Sequence, residues 1–202
     1  MKQGVKLPIL CAVALLGNIA TALLASWFKL PCFLDTIFSV AITFYAGLVP
    51  GLIVAALFNP LMTLLRCSLY GADFSFYDCL YALCGMLIVF ATWLFSRKKR
   101  EFFFSRSVTI LYLLIIAFSS AFLSFITAST LDTFILPLFQ TSTGFSSFDT
   151  FSEVLRQLKI GTFLSYLIPR IPLTVLDRLI CTFAGFGLYR LMIKYDKKKA
   201  EL

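Results

Sequence analysis

The chain is 202 residues long, 60% hydrophobic and 14% charged, with a formal net charge of +8. Soluble domains hold roughly 45–50% apolar and about 25% charged residues, so an ordinary soluble fold is excluded. There is no histidine, which removes a Ser–His dyad, and no Gly-rich phosphate loop occurs.

Apolar blocks of about 17–25 residues alternate with short polar breaks, the length that crosses roughly 30 Å of hydrocarbon. The blocks are continuous rather than alternating in polarity, so helices and not barrel strands satisfy the backbone in lipid. Residues 1–202 therefore read as one integral membrane domain, an all-α bundle of six transmembrane helices with a short amphipathic helix on the outer surface.

The first span is predicted over residues 7–28, with Pro8 tolerated in its first turn. Lys2 and Lys6 before it resemble the start of a signal peptide. The apolar run is longer than the usual leader core, however, and no clear small-x-small site precedes Trp27, so the segment is read as retained. Ala14, Gly17, Asn18, Thr21, Ala22 and Ala25 recur at spacings of three and four. Such a stripe of small residues lets helices approach closely in lipid. It serves either packing inside this bundle or docking of a partner membrane protein.

The second span is predicted over 33–47 and ends in a tight turn, Gly47-Leu48-Val49-Pro50-Gly51. The third covers 52–69 and the fourth 76–95, stopping at the Arg97–Arg100 cluster. The fifth covers 108–129. Residues 130–171 form the longest non-spanning stretch, with a Ser/Thr/Gly-rich loop over 141–150. Within it Thr150-x-x-Glu153 reads as a capping box. Phe151, Val154, Leu155 and Leu158 then share one face of a short helix, either an interfacial connector or part of a lid. The sixth span starts near Pro172, which suits a helix start, and reaches about residue 193.

Basic residues sort by loop. Lys29, Arg66, Arg156, Lys159, Arg170 and Arg178 fall on one side; the other twelve of the 18 gather before the first span, in residues 97–106, and at the end of the chain. Lys/Arg excess in short loops marks the cytoplasm, so both termini are expected there, and nucleic acid is not the expected partner. Six cysteines show no metal-ligand spacing, and the chain is expected to hold no metal or cofactor. They read as small buried hydrophobes, and a Cys67–Cys79 bridge would require an oxidising outer compartment.

A charge at mid-bilayer costs at least about 2.5–3.5 kcal/mol and so needs a reason. Asp35, Arg66, Asp78, Asp177 and Arg178 all fall in the outer half under this topology, with Asn59 approaching from the inner turn. They read either as structural ion pairs (Asp35 or Asp177 with Arg66 or Arg178) or as the lining of an outward-facing cavity. The cavity reading takes Asp35, Asn59, Arg66 and Asp177 as substrate-binding residues.

Pro31-Cys32-Phe33-Leu34-Asp35-Thr36, followed by Gly47-Leu48-Val49-Pro50-Gly51 and Asn59, resembles a stretch of the substrate-binding S components of energy-coupling-factor (ECF) transporters. Pro172-Leu173-Thr174-Val175-Leu176-Asp177-Arg178-Leu179 resembles their final helix. Two features depart from the pattern: the Gly-Pro turn is spread over Gly47-x-x-Pro50-Gly51, and Ala55-Ala56 stands where a Gly is usual. The resemblance implies six helices in a bacterial or archaeal cell membrane and capture of a vitamin-like small molecule from outside. It also implies partnership with a membrane T component and two cytoplasmic ATPases, docked through the face that carries Ala14, Asn18 and Ala22. No enzyme activity is expected of this chain itself. The alternative is a membrane sensor module without transport activity, although the chain ends about nine residues past the last expected span.

Overall fold

The computed structural model describes residues 3–30, 32–71, 73–139 and 146–200. Pro31 and residues 141–145 of the expected loop lie outside them. The described residues form helices and no strands, and five helical segments are long and apolar enough to cross a membrane. Large apolar side chains point outward around the bundle, among them Leu16, Val49, Phe122 and Leu176. Such an envelope suits lipid rather than water.

Helix α1 (Gln3–Trp27) is the first crossing segment. The second expected span is shortened: α2 (Ile37–Ala46) has only ten residues, about 15 Å of rise against roughly 30 Å of hydrocarbon. Residues 32–36 stay non-helical because other groups claim their backbone. Asp177 Oδ1 accepts the amides of Phe33 and Leu34 at 2.8 and 2.9 Å, and Thr21 Oγ1 donates to the Leu34 carbonyl at 2.6 Å. Leu34 has φ +48°, a left-handed conformation that a leucine holds only when its surroundings over-determine it. These three bonds do so.

The expected five-residue turn contracts to Gly47 alone, at φ +93°. Pro50 enters the first turn of α3 (Leu48–Tyr70), where a missing N–H costs nothing. Gly51 then lies so near Thr43 that a Cβ would sit 2.1 Å from its hydroxyl. The fourth expected span is α4 (Phe76–Leu80) and α5 (Ala82–Ser96), separated by Tyr81. A short α6 (Lys99–Phe102) occupies the basic loop.

Two boundaries differ substantially. Helix α7 (Arg106–Thr130) continues through a π-helical turn (Leu131–Ile135) into α8 (Leu136–Phe139), making one apolar segment of 34 residues. Residues 130–139 thus belong to a spanning segment and not to the expected non-spanning stretch. The last helix, α10 (Thr162–Ala200), begins ten residues before the expected start and holds Pro169 and Pro172 inside it. Prolines are tolerated within membrane helices where neighbouring groups re-satisfy the freed carbonyls.

The amphipathic helix α9 (Ser146–Gln157) starts earlier than expected, so Thr150 lies within it and does not cap it. Phe151, Val154 and Leu158 are exposed, whereas Ser152 is buried. Arg156 pairs with Glu153 at 2.6 Å and stacks over Tyr166 of α10 at 5.5 Å. The helix lies on the bundle with its apolar face outward, as an interfacial helix does.

The contacts fix a pattern of direction. Thr21 meets Leu34 and Asn18 meets Ser39, so α1 and α2 run oppositely. Gly51 and Gly85 face Val89 and Ala55, so α3 and α5 do too. Cys84 reaches Ser124, and Asp132 reaches Arg170. Chain direction therefore reverses at each connection, even across the short α2. At one end Lys99 donates to the Phe44 carbonyl at 2.7 Å and Tyr45 to Asp196 at 2.5 Å, joining α2 to the basic loop and to the end of α10. An aromatic cluster of Phe44, Phe102, Phe186 and Tyr189 seals that end. Desolvation there holds the Lys99 pKa below the ordinary lysine value.

Candidate functional site

Ionised side chains collect at the opposite end of the interior, in two clusters. The first is a triad. Arg178, buried on α10, donates to Asp35 Oδ1 at 2.9 Å and to Thr36 Oγ1 at 2.6 Å, and also pairs with Asp177. Asp177 is fully buried; its other oxygen takes the Phe33 and Leu34 amides. Asp35 keeps a quarter of its side chain accessible. Two carboxylates share one guanidinium, so the fully ionised triad carries one excess negative charge. Arg178 Nε has no hydrogen-bond partner within the protein.

The second cluster was not foreseen. Asp132, fully buried in the π-helical turn of α7, accepts hydrogen bonds from the hydroxyls of Tyr77 and Tyr81 and pairs with Arg170 of α10. The two tyrosine hydroxyls lie 3.1 Å apart with rings edge to face, and Arg170 also donates to Tyr81 at 3.2 Å. One carboxylate here meets one guanidinium and two phenols, a charge-balanced network. The π turn is what aims Asp132 inward, and π-bulges in helices recur at functional positions. Cys84 lies within electrostatic reach of Asp35, Asp132, Arg170 and Arg178, between the two clusters. Ser124 and Ser129, buried on α7, leave their hydroxyl oxygens unpartnered.

Of the four expected substrate-binding residues, the structure brings Asp35 and Asp177 together through Arg178. Asn59 is half-buried in the middle of α3, and Arg66 is exposed near its end, within electrostatic reach of Asp78. Among the described residues, no hydrogen bond or ion pair ties either to the triad. The ion-pair alternative is realised at Arg178, which bridges both aspartates, and not at Arg66.

The small-residue stripe of α1 is turned largely into the bundle. Ala14 packs with Ile42 and Val54, and Gly17 leaves no room for a Cβ against Phe38. Asn18 is fully buried, donating to Ser39 at 2.8 Å and accepting the Phe38 amide at 2.9 Å. Thr21 holds Leu34, and Ala25 is buried; Ala22 is half-buried. In this structure the stripe serves internal packing. Cys67 and Cys79 are free thiols.

Sequence reasoning misses Asp132 because a fifth span ending at Ser129 leaves this residue in the non-spanning stretch. The signal was present: a single acid inside the run Leu131-Asp132-Thr133-Phe134-Ile135-Leu136, which is otherwise nearly as apolar as the helix before it. What the chain supports at this level is a multi-pass all-helical membrane protein. A scan of family models finds none that matches, and neither the curated proteins nor the solved structures give a match.

Proposed function

We propose that the chain is the substrate-capture subunit of a micronutrient importer of the energy-coupling-factor type. It would bind a vitamin-like small molecule at the ionised end of the bundle and leave ATP hydrolysis to partner subunits. The observation that carries this reading is Asp35: one of two carboxylates that share a single guanidinium, still a quarter accessible. Ionised groups in a membrane interior are expensive and commonly mark a ligand or ion path. With two acids to one base, the triad favours a ligand that brings a cationic or hydrogen-bond-donating group. The segregation of basic residues supports an orientation with that end outside and both termini in the cytoplasm.

The reading needs a docking surface for the membrane partner. Since the small-residue stripe is used internally, docking on α1 would fall to its outward face, where Val13, Leu16 and Leu24 are exposed. Purification of the tagged full-length chain from its own membranes, with mass spectrometry of its protein and small-molecule companions, tests the proposal. We expect a second membrane protein, two ATPases and a retained vitamin-like compound. A retained compound with no ATPase would instead favour a sensor. Neither ATPase nor compound would end the capture reading.

A further inference from the structure

We infer that the cleft at the basic loop, together with the groove between α5 and α7, holds one anionic phospholipid. The headgroup lies by Arg100, and an acyl chain runs along the groove. This inference rests on the geometry of that face alone and not on the importer reading. The cleft, about 370 Å³, is lined by Arg100, Glu101, Phe104, Val108 and Tyr112. The groove, about 610 Å³, is walled by Phe90, Leu94 and Phe95 of α5 and by Phe118, Phe122 and Phe125 of α7.

The two are continuous along one stripe of α7. Val108 and Tyr112 line the cleft, and Ser119 and Phe122 line the groove; spacings of four, seven and three keep all four on one helix face. From Val108 to Phe122 the rise is about 21 Å, enough to cover the depth of one leaflet, half of roughly 30 Å. Tyr112 and Phe95, one from each wall, pack against the same aromatic cluster.

Charge selects the occupant. Residues 97–106 contain five basic residues and one acid. Glu101 is engaged by Lys98 at 3.1 Å, Arg97 stacks over Trp93 at 5.5 Å, and Lys99 turns inward to Phe44. Arg100 has no carboxylate partner among the described residues and lines the cleft. Phe104, which lines it too, is 81% exposed. An unneutralised arginine beside an apolar groove between membrane helices matches a phosphodiester headgroup with its chain.

The chain has two tryptophans, and Phe90 of the groove lies 6.2 Å from Trp93, ring to ring. The Trp27→Phe variant therefore leaves a single reporter at the proposed site. In bilayers carrying brominated phosphatidylglycerol or brominated phosphatidylcholine, Trp93 should be quenched preferentially by the anionic lipid. The preference should be about fivefold for the one arginine engaged, and it should fall towards unity in Arg100→Gln. Equal quenching by both lipids, or a preference unchanged in the variant, overturns the inference. Should the variant misfold, native mass spectra of the wild-type chain decide. Phosphatidylglycerol adducts that survive no better than phosphatidylcholine adducts of equal chain length overturn it as well.

Discussion

The two buried clusters stand eight residues apart on α10, about 12 Å along the helix, and differ in charge balance and in enclosure. Around Asp132, one guanidinium and two phenols meet one carboxylate, with the acid wholly enclosed. Around Arg178, two carboxylates compete for one guanidinium, and one of them remains accessible. A charge-balanced, enclosed network in low dielectric locks helices together. A partly open one, with two acids to one base, is where a ligand or proton can still act. The same residue types therefore serve as scaffold at one level and as candidate site at the other.

The largest effect is expected where enclosure is greatest. Asp132→Ala leaves Arg170 buried without its carboxylate and two tyrosine hydroxyls without an acceptor. Breaking a buried pair from one side costs about 3–5 kcal/mol. Thermal unfolding in detergent should drop sharply, with α7 and α10 losing their shared register. A variant that keeps wild-type stability would show that the Asp132 network is not scaffold, and the contrast between the clusters would fail.

Asp177 is a mixed case, since it belongs to the triad yet also holds non-helical backbone. In Asp177→Asn the amide oxygen still accepts the Phe33 and Leu34 N–H groups, but Arg178 loses a charged partner. Hydrogen bonds to charged groups are worth about 1.5–3 kcal/mol, and a loss of that order is expected. Faster hydrogen exchange at Phe33 and Leu34 should accompany it. Unchanged exchange there would mean that the segment is held by something other than this carboxylate. Thr21→Val asks the same question from the carbonyl side. It removes the bond to Leu34 and should cost about 1 kcal/mol. No change in melting would leave the left-handed Leu34 without one of its three supports.

What the sequence made legible follows from length scales. Runs of apolar residues and loop charge report on the bilayer, which acts over a whole helix, so the helical class and the gathering of basic segments at one end were readable. Pairings such as Asp132 with Tyr77, Tyr81 and Arg170 join residues from three helices and carry no local spacing. The π turn that aims Asp132 inward has no marker in its residue types either. Pro172 misled for a related reason: proline's preference for helix starts is local, whereas packing and the Asp132–Arg170 pair continue α10 through it. The stripe on α1 was correctly a close-packing surface, but periodicity alone does not say against which helix. Gly17 against Phe38 and Asn18 against Ser39 answer that.

Asp35→Asn is expected to have the smallest effect on stability and to bear most directly on function. The amide keeps the size of the carboxylate, and its oxygen can still accept from Arg178 Nη2. Arg178 meanwhile retains Asp177, so no buried charge is abandoned, and the cost should stay at about 1 kcal/mol or less. The electrostatic change is larger in kind: one of the two acids that share Arg178 is lost. A ligand held by that acid must then bind more weakly, whereas a scaffold pair would register the substitution in melting temperature instead. The discriminating measurement sets the melting temperature of Asp35→Asn beside the quantity of small molecules it carries through purification, relative to wild type. Near-normal melting with depleted small molecules assigns Asp35 to the site. Strong destabilisation with undiminished retention places it with Asp132, in the framework, and removes the distinction on which the capture reading stands.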